Sequence, residues 1–124
     1  MHTKHKDWMK ILAENVRQFT RDRNWEQYHT PKNLSMSIAI ESAELMELFQ
    51  WAGQEAPEEI RKDPDLMQQI EEEMADVLLY LVSLSNVLGV DLEGATQRKV
   101  EKNGEKYPKS LFATPDGKNW REVL

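Results

Sequence analysis

The sequence predicts an all-α fold, a bundle of four main helices, on three observations. Apolar residues recur at helical spacing in four separate stretches. No stretch alternates convincingly with period two, as a half-buried strand would. Glycine and proline, five of each, cluster between the periodic stretches.

The first helix is expected from about Asp7 to Arg23, because Trp8, Ile11, Leu12, Val16 and Phe19 fall on one face at i, i+3, i+4 spacing. The stretch NWEQYHTPKN breaks that pattern. Pro31 disfavours helix at Thr30 and suits the first turn of a second helix, about Pro31 to Trp51. The segment AGQEAPEEIRKDPD reads as a loop with room for one short helical turn. A third helix is expected from about Asp65 to Leu88, stopping at Gly89, a residue suited to a helix C-terminus. Asp91 can cap a fourth, about Leu92 to Lys106, which Pro108 ends. The tail beyond it, 109–124, has a PDG turn signal and little other pattern. A length of 124 residues suits one domain, 1–124, with a core of about 7–108.

Composition narrows the function. With 40% hydrophobic and 31% charged residues the chain is globular. It has no cysteine, which removes disulfides, thiolate metal sites and a cysteine nucleophile. A formal net charge of -6 argues against a binder of nucleic acid polymers, which is usually basic. The opening MHTKHKDW has no apolar stretch behind it, so no signal peptide is expected. VLLYLVSLSNVLGV is too short to span a bilayer, so no membrane is expected either.

The carboxylates carry the chemistry. On a wheel of about 100° per residue, Leu34, Ile38, Leu45, Leu48 and Ala52 form a stripe on the second helix. Glu41 falls inside that stripe and Glu44 at its edge, while Glu47 points away. The third helix repeats the arrangement. Glu73 falls on the face of Ile70, Val77, Tyr80, Leu84 and Val87, with Asp76 beside it and Glu71 and Glu72 pointing outward. After Asp76 no charge follows until Asp91, so this helix is apolar nearly all round. Inward carboxylates repel one another and lose hydration. Protonation, pairing with Lys or Arg, or a divalent cation would each relieve them. An oxygen-only cage suits Mg²⁺ or Mn²⁺, whereas zinc prefers histidine or cysteine. A di-iron bundle would need Glu-x-x-His, and His2, His5 and His29 all lie off these two helices.

ESAE (Glu41, Glu44) followed by EEMAD (Glu73, Asp76) resembles the ExxE…ExxD signature of the all-α nucleoside triphosphate pyrophosphohydrolases, the MazG-like group. The flanks RNWEQYHTPKNL, ELMELFQW, ADVLLYLV and KVEKNGEKYP look like its single-domain dCTP pyrophosphatase branch. The likeness runs from about Val16 to Pro108. It implies a helical bundle assembling as a dimer or, in this branch, a tetramer. It implies hydrolysis of nucleoside triphosphates, dCTP or modified deoxynucleotides among them, to the monophosphate and pyrophosphate, a nucleotide-pool house-cleaning reaction. Glu41, Glu44, Glu73 and Asp76 would be the catalytic residues, holding one or more Mg²⁺ that bridge the phosphates. By the same resemblance Lys99 and Asn103 reach phosphate or sugar, Trp25, His29, Asn33 and Trp51 form the base and sugar pocket, and Tyr80 touches the sugar. Read from the residues alone, the tryptophans are core, the lysines are solvated and Asn33 could cap the second helix. The chain departs from the branch at Val16, where the animal enzymes offer a histidine, and in the loop from Gln54 to Asp65. The alternative function is a non-catalytic helical module that binds a nucleotide or a partner protein. No Walker-type glycine loop is present.

Overall fold

The computed structural model describes residues 7–51 and 56–112. They form five α-helices: α1 (Trp8–Asp22), α2 (Pro31–Gln50), α3 (Pro57–Arg61), α4 (Pro64–Leu88) and α5 (Leu92–Lys106). There is no strand among the described residues. Short 3₁₀ turns follow α1 and α5, at Glu26–Tyr28 and Lys109–Phe112. The described residues fall into two compact units, one ending at Val90 and one starting at Asp91.

In the first unit α4 is the central element. It packs along α2 over the longest stretch, and α1 and α3 also lie on it. Leu34 of α2 and Ile70 and Val82 of α4 are the buried apolar centre, with Leu34 at 1% and Val82 at 0% exposure. The second-helix stripe packs as its spacing predicts: Ile38, Leu45 and Leu48 are all half-buried, while Ala52 lies outside the described residues. The first helix is rotated from expectation. Its packed line runs through Leu12, Ala13, Val16 and Thr20, and Trp8 and Ile11 stay exposed. Small Ala13 and polar Thr20 can sit against α4, a choice that apolar spacing alone does not rank. Val87 of α4 is also exposed.

Local chemistry sets the ends. Asn24 sits at φ 55, a left-handed conformation that asparagine tolerates better than most residues, and it turns the chain out of α1. Thr30 caps α2 by accepting from the Asn33 N–H at 3.2 Å, with Pro31 in the first turn where no N–H is needed. Thr30 is therefore the cap, and Asn33 is not. The long helix starts at Pro64, one residue before the expected boundary, because Asp63 caps it by accepting from the Leu66 N–H at 3.1 Å. It ends at Gly89, whose φ of 68 places it in the left-handed region. The loop after α2 contains the expected helical turn, α3, which also begins on a proline.

The second unit is α5 with the turn that follows. Asp91 caps α5 by accepting from the Gly94 N–H at 3.1 Å. Tyr107 closes the helix by donating its N–H to the Asn103 carbonyl at 2.8 Å, and its ring meets Phe112 edge-on at 6.5 Å.

Candidate metal centre and nucleoside cavity

Glu41 lies two turns after buried Leu34 on the same face of α2, so the packing that buries Leu34 also turns Glu41 toward α4. On α4, Glu73 stands one position short of a turn after buried Ile70, and Asp76 three residues further. The two faces bring one carboxylate oxygen each from Glu41, Glu73 and Asp76 within 4.8 Å of one another. All three residues are half-buried. Glu41 Oε2 and Glu73 Oε2 are buried and have no hydrogen-bond partner. An acceptor stripped of water and given no donor is destabilising.

The titration of the site reflects that strain. Burial pushes the Glu41 carboxyl up to about 7, helped by hydrogen bonds of its protonated form with Glu44 and Glu73 and by repulsion from Glu44 and Asp76. Burial also raises Glu73; a bond from Glu41 partly offsets this, and Glu44 and Asp76 add to it. A hard divalent cation would answer the same problem. Mg²⁺ takes hard oxygen ligands such as carboxylates, and one oxygen from each of the three residues lies within 4.8 Å of the others. The donor set fits such an ion. Glu44 stands outside the set and is exposed, though near enough to bond with and repel Glu41. Glu47, Glu71 and Glu72 are exposed, as their outward register predicts.

Beside the carboxylates lies a cavity of about 400 Å³ between α1, α4 and the turn that joins α1 to α2. Leu12, Val16 and Phe19 of α1 form one wall. Asp76, Tyr80 and Ser83 of α4 form another, and Trp25 and His29 close the side. Asp76 thus belongs to both the acid cluster and the cavity. The Trp25 N–H donates to the Thr20 carbonyl at 3.0 Å, which ties the turn back onto α1. Its ring meets Phe19 edge-on at 5.8 Å and His29 at 6.4 Å. The Arg23 guanidinium lies over the Phe19 ring, 3.5 Å from its centroid. The volume suits a nucleoside, and the lining pairs aromatic faces with a few polar groups.

Of the expected site residues, Trp25, His29, Tyr80 and Asp76 are brought together in this cavity. Asn33 is not: its Nδ2 donates to the Tyr28 carbonyl at 3.0 Å, so it braces the turn. Trp51 follows α2 with 86% of its surface exposed. Lys99 and Asn103 share a face of α5 in the second unit, Lys99 exposed and Asn103 half-buried. Sequence reasoning did not name Phe19 or Ser83 as cavity walls. Ser83, buried in an otherwise apolar run, carried a signal; Phe19 read as an ordinary stripe residue.

The chain is similar to known proteins. A family model described as the MazG-like family matches residues 36–111, a span holding all four acidic positions together with Lys99 and Asn103. The dCTP pyrophosphatase 1 of Rattus norvegicus is 39% identical over 94 residues, covering 76% of this chain and 55% of the rat protein. The Homo sapiens protein of the same name is also 39% identical over 94 residues, with the same coverage. The chain thus spans little more than half the length of these relatives. A pyrophosphatase from Archaeoglobus fulgidus, known from its crystal structure, superposes with a TM-score of 0.72 at 46% identity, covering 81% of this chain and 92% of that one.

Proposed function

The chain belongs to the MazG-like family, and on that premise we propose that it is a nucleoside triphosphate pyrophosphohydrolase. Its substrate would be a (deoxy)nucleoside triphosphate, dCTP or a modified deoxynucleotide among the candidates, and its products the monophosphate and pyrophosphate. One observation carries this reading. Glu41 and Glu73, each with a buried oxygen that has no hydrogen-bond partner, converge with Asp76, and Asp76 also lines a nucleoside-sized cavity.

Glu41, Glu73 and Asp76 would hold the cation, Mg²⁺ or Mn²⁺ by their hard oxygen donors. When bound, that cation neutralises the phosphates and polarises the α-phosphorus. Glu44, left outside the three-oxygen set, is the carboxylate available to take a proton from the attacking water. Trp25, Phe19 and Tyr80 present ring faces to the base and sugar, and His29 supplies polar contact. Lys99 and Asn103, one turn apart on α5, are proposed to meet phosphate or sugar. Trp51 and Asn33 are proposed as base-pocket residues completed in the assembled protein.

Assembly is part of the proposal, as a homo-oligomer, with a tetramer favoured and a dimer the alternative. Met36, Ile40, Met46 and Phe49 on α2 and Met74, Leu79, Leu81 and Leu88 on α4 are all exposed in the single chain. Apolar surface of that extent marks a contact face. It also accounts for a third predicted helix that is apolar all round yet covered on only part of its surface. Residues 1–124 are proposed to act as one MazG-like domain, since the family match runs across the boundary at Val90. No single helix among the described residues is long and apolar enough to cross a membrane, and a cytoplasmic nucleotide pool is the proposed setting.

The test is pyrophosphate release from a panel of common and modified deoxynucleotides with Mg²⁺, alongside Glu41→Gln and Asp76→Asn. Release that both substitutions abolish is the expected result. A protein that releases no pyrophosphate from any of them, with Mn²⁺ tried as well, is not this enzyme.

A further inference from the structure

Asn86 lies in the last turn of α4, in a run of residues that is otherwise largely apolar. Its amide is used twice. Nδ2 donates to the Ala13 carbonyl at 3.0 Å, and Oδ1 accepts from Arg17 Nη2 at 3.0 Å. Both partners belong to α1 and both bonds are partly buried. Among the described residues these are the side-chain hydrogen bonds that join α1 to α4.

The consequence lies in what each kind of contact can specify. Burial of Leu12, Val16 and Thr20 holds α1 against α4, but apolar contact is non-directional and tolerates sliding. A hydrogen bond weakens steeply when bent or stretched, so the Asn86 amide sets where α1 sits along α4. That register places Leu12, Val16 and Phe19 opposite Asp76 and Tyr80, across the nucleoside cavity. The metal-binding carboxylates ride on α2 and α4 instead. The tie therefore governs one wall of the cavity and leaves the acid cluster alone.

We propose that Asn86 is a positioning residue for the nucleoside: by tying α1 to α4 through Ala13 and Arg17 it holds the cavity at its binding width without touching the nucleotide. The inference rests on the pyrophosphohydrolase reading for its substrate.

The test compares the full chain with Asn86→Ala and Asn86→Asp. Asp keeps the acceptor toward Arg17 and loses the donor to Ala13. Three quantities are measured with Mg²⁺: kcat and KM for the best nucleotide of the panel, and the Ki of inorganic tripolyphosphate, which has no base. Loss of both bonds should raise KM about tenfold, loss of one about threefold, with kcat within about twofold and Ki unchanged because the cluster is intact. An unchanged KM in Asn86→Ala overturns the proposal. So does a Ki that rises in step with KM, since that is general loosening of the fold. Calorimetric binding of the same nucleotide gives the same comparison without turnover. Wild-type protein that binds nucleotide without cleaving it overturns the hydrolase reading, and the variants' affinities then decide this one. Wild-type protein that binds none overturns both.

Discussion

Where α4 faces α2, Glu41 and Glu73 each bury one oxygen that has no hydrogen-bond partner; where it faces α1, apolar and aromatic side chains surround a void. One helix serves both, a turn apart, and the two regions are built by different means. The acid seam is strained: unlike-paired contacts are missing and burial drives Glu41 and Glu73 toward protonation. The cavity is built otherwise: Phe19 and Trp25 meet edge-on beside it, and the Asn86 amide bonds α4 to α1. Strain is what a site needs to capture a cation strongly, and a preformed void is what it needs to bind a base without ordering costs. Asp76 is the residue at which the two meet.

That contrast can be broken most completely at Asp76. Asp76→Asn replaces an anionic carboxylate of the three-residue cluster with a neutral amide, and pyrophosphate release should fall by about a thousandfold or more. The same substitution lessens carboxylate repulsion, so the metal-free variant should melt above wild type in calorimetry at pH 8. A variant that is inactive and also less stable would show that the seam is not strained.

Trp25→Ala attacks the cavity alone. Loss of a stacking face is worth about 1–3 kcal/mol per base, so KM should rise roughly tenfold or more while kcat and the Ki of tripolyphosphate hold. Steady-state kinetics across the nucleotide panel would show it, and a fall in kcat at constant KM would contradict the separation of the two regions.

The pH dependence of stability sharpens the acid side. Glu41 is raised from an ordinary 4.5 to about 7, and Glu73 is raised too. A raised carboxyl binds more protons folded than unfolded, so its contribution is full below about 4.5 and is lost as pH climbs through about 7. Metal-free protein should therefore lose melting temperature across that interval. Saturating Mg²⁺ should flatten the loss, because it favours the ionised carboxylates. Melting curves with and without Mg²⁺ at several pH values measure both.

The smallest effect is expected at Thr30, which caps α2 between the two regions. Thr30→Ala should lower stability by about 1 kcal/mol in urea unfolding and leave the substrate ranking intact.

Much of this was legible in the residues, for definite reasons. Helix spacing, the cap at Asp91 and the stop at Gly89 are local, and local rules read them, as they read the inward register of Glu41, Glu73 and Asp76. The separation of Glu41 and Glu73 from their exposed neighbours Glu47, Glu71 and Glu72 needed only a helical wheel. Other features depend on how one helix lies on another. Periodicity placed Trp8 and Ile11 on the packed face of α1, whereas packing chose Ala13 and Thr20. Asn33 offered a cap; Thr30 took that place, and the Asn33 amide braces the turn instead of the helix end. Phe19 became a cavity wall only because the turn through Asn24 folds Trp25 back onto it. The amino-acid order by itself determined the elements, their ends and the acidic faces, because those follow from 3.6 residues per turn and from single side chains meeting nearby backbone. Only the tertiary structure decided which oxygens converge, where a void remains and which amide ties α1 to α4. Those depend on distances between residues tens of positions apart, set by the packing of whole helices.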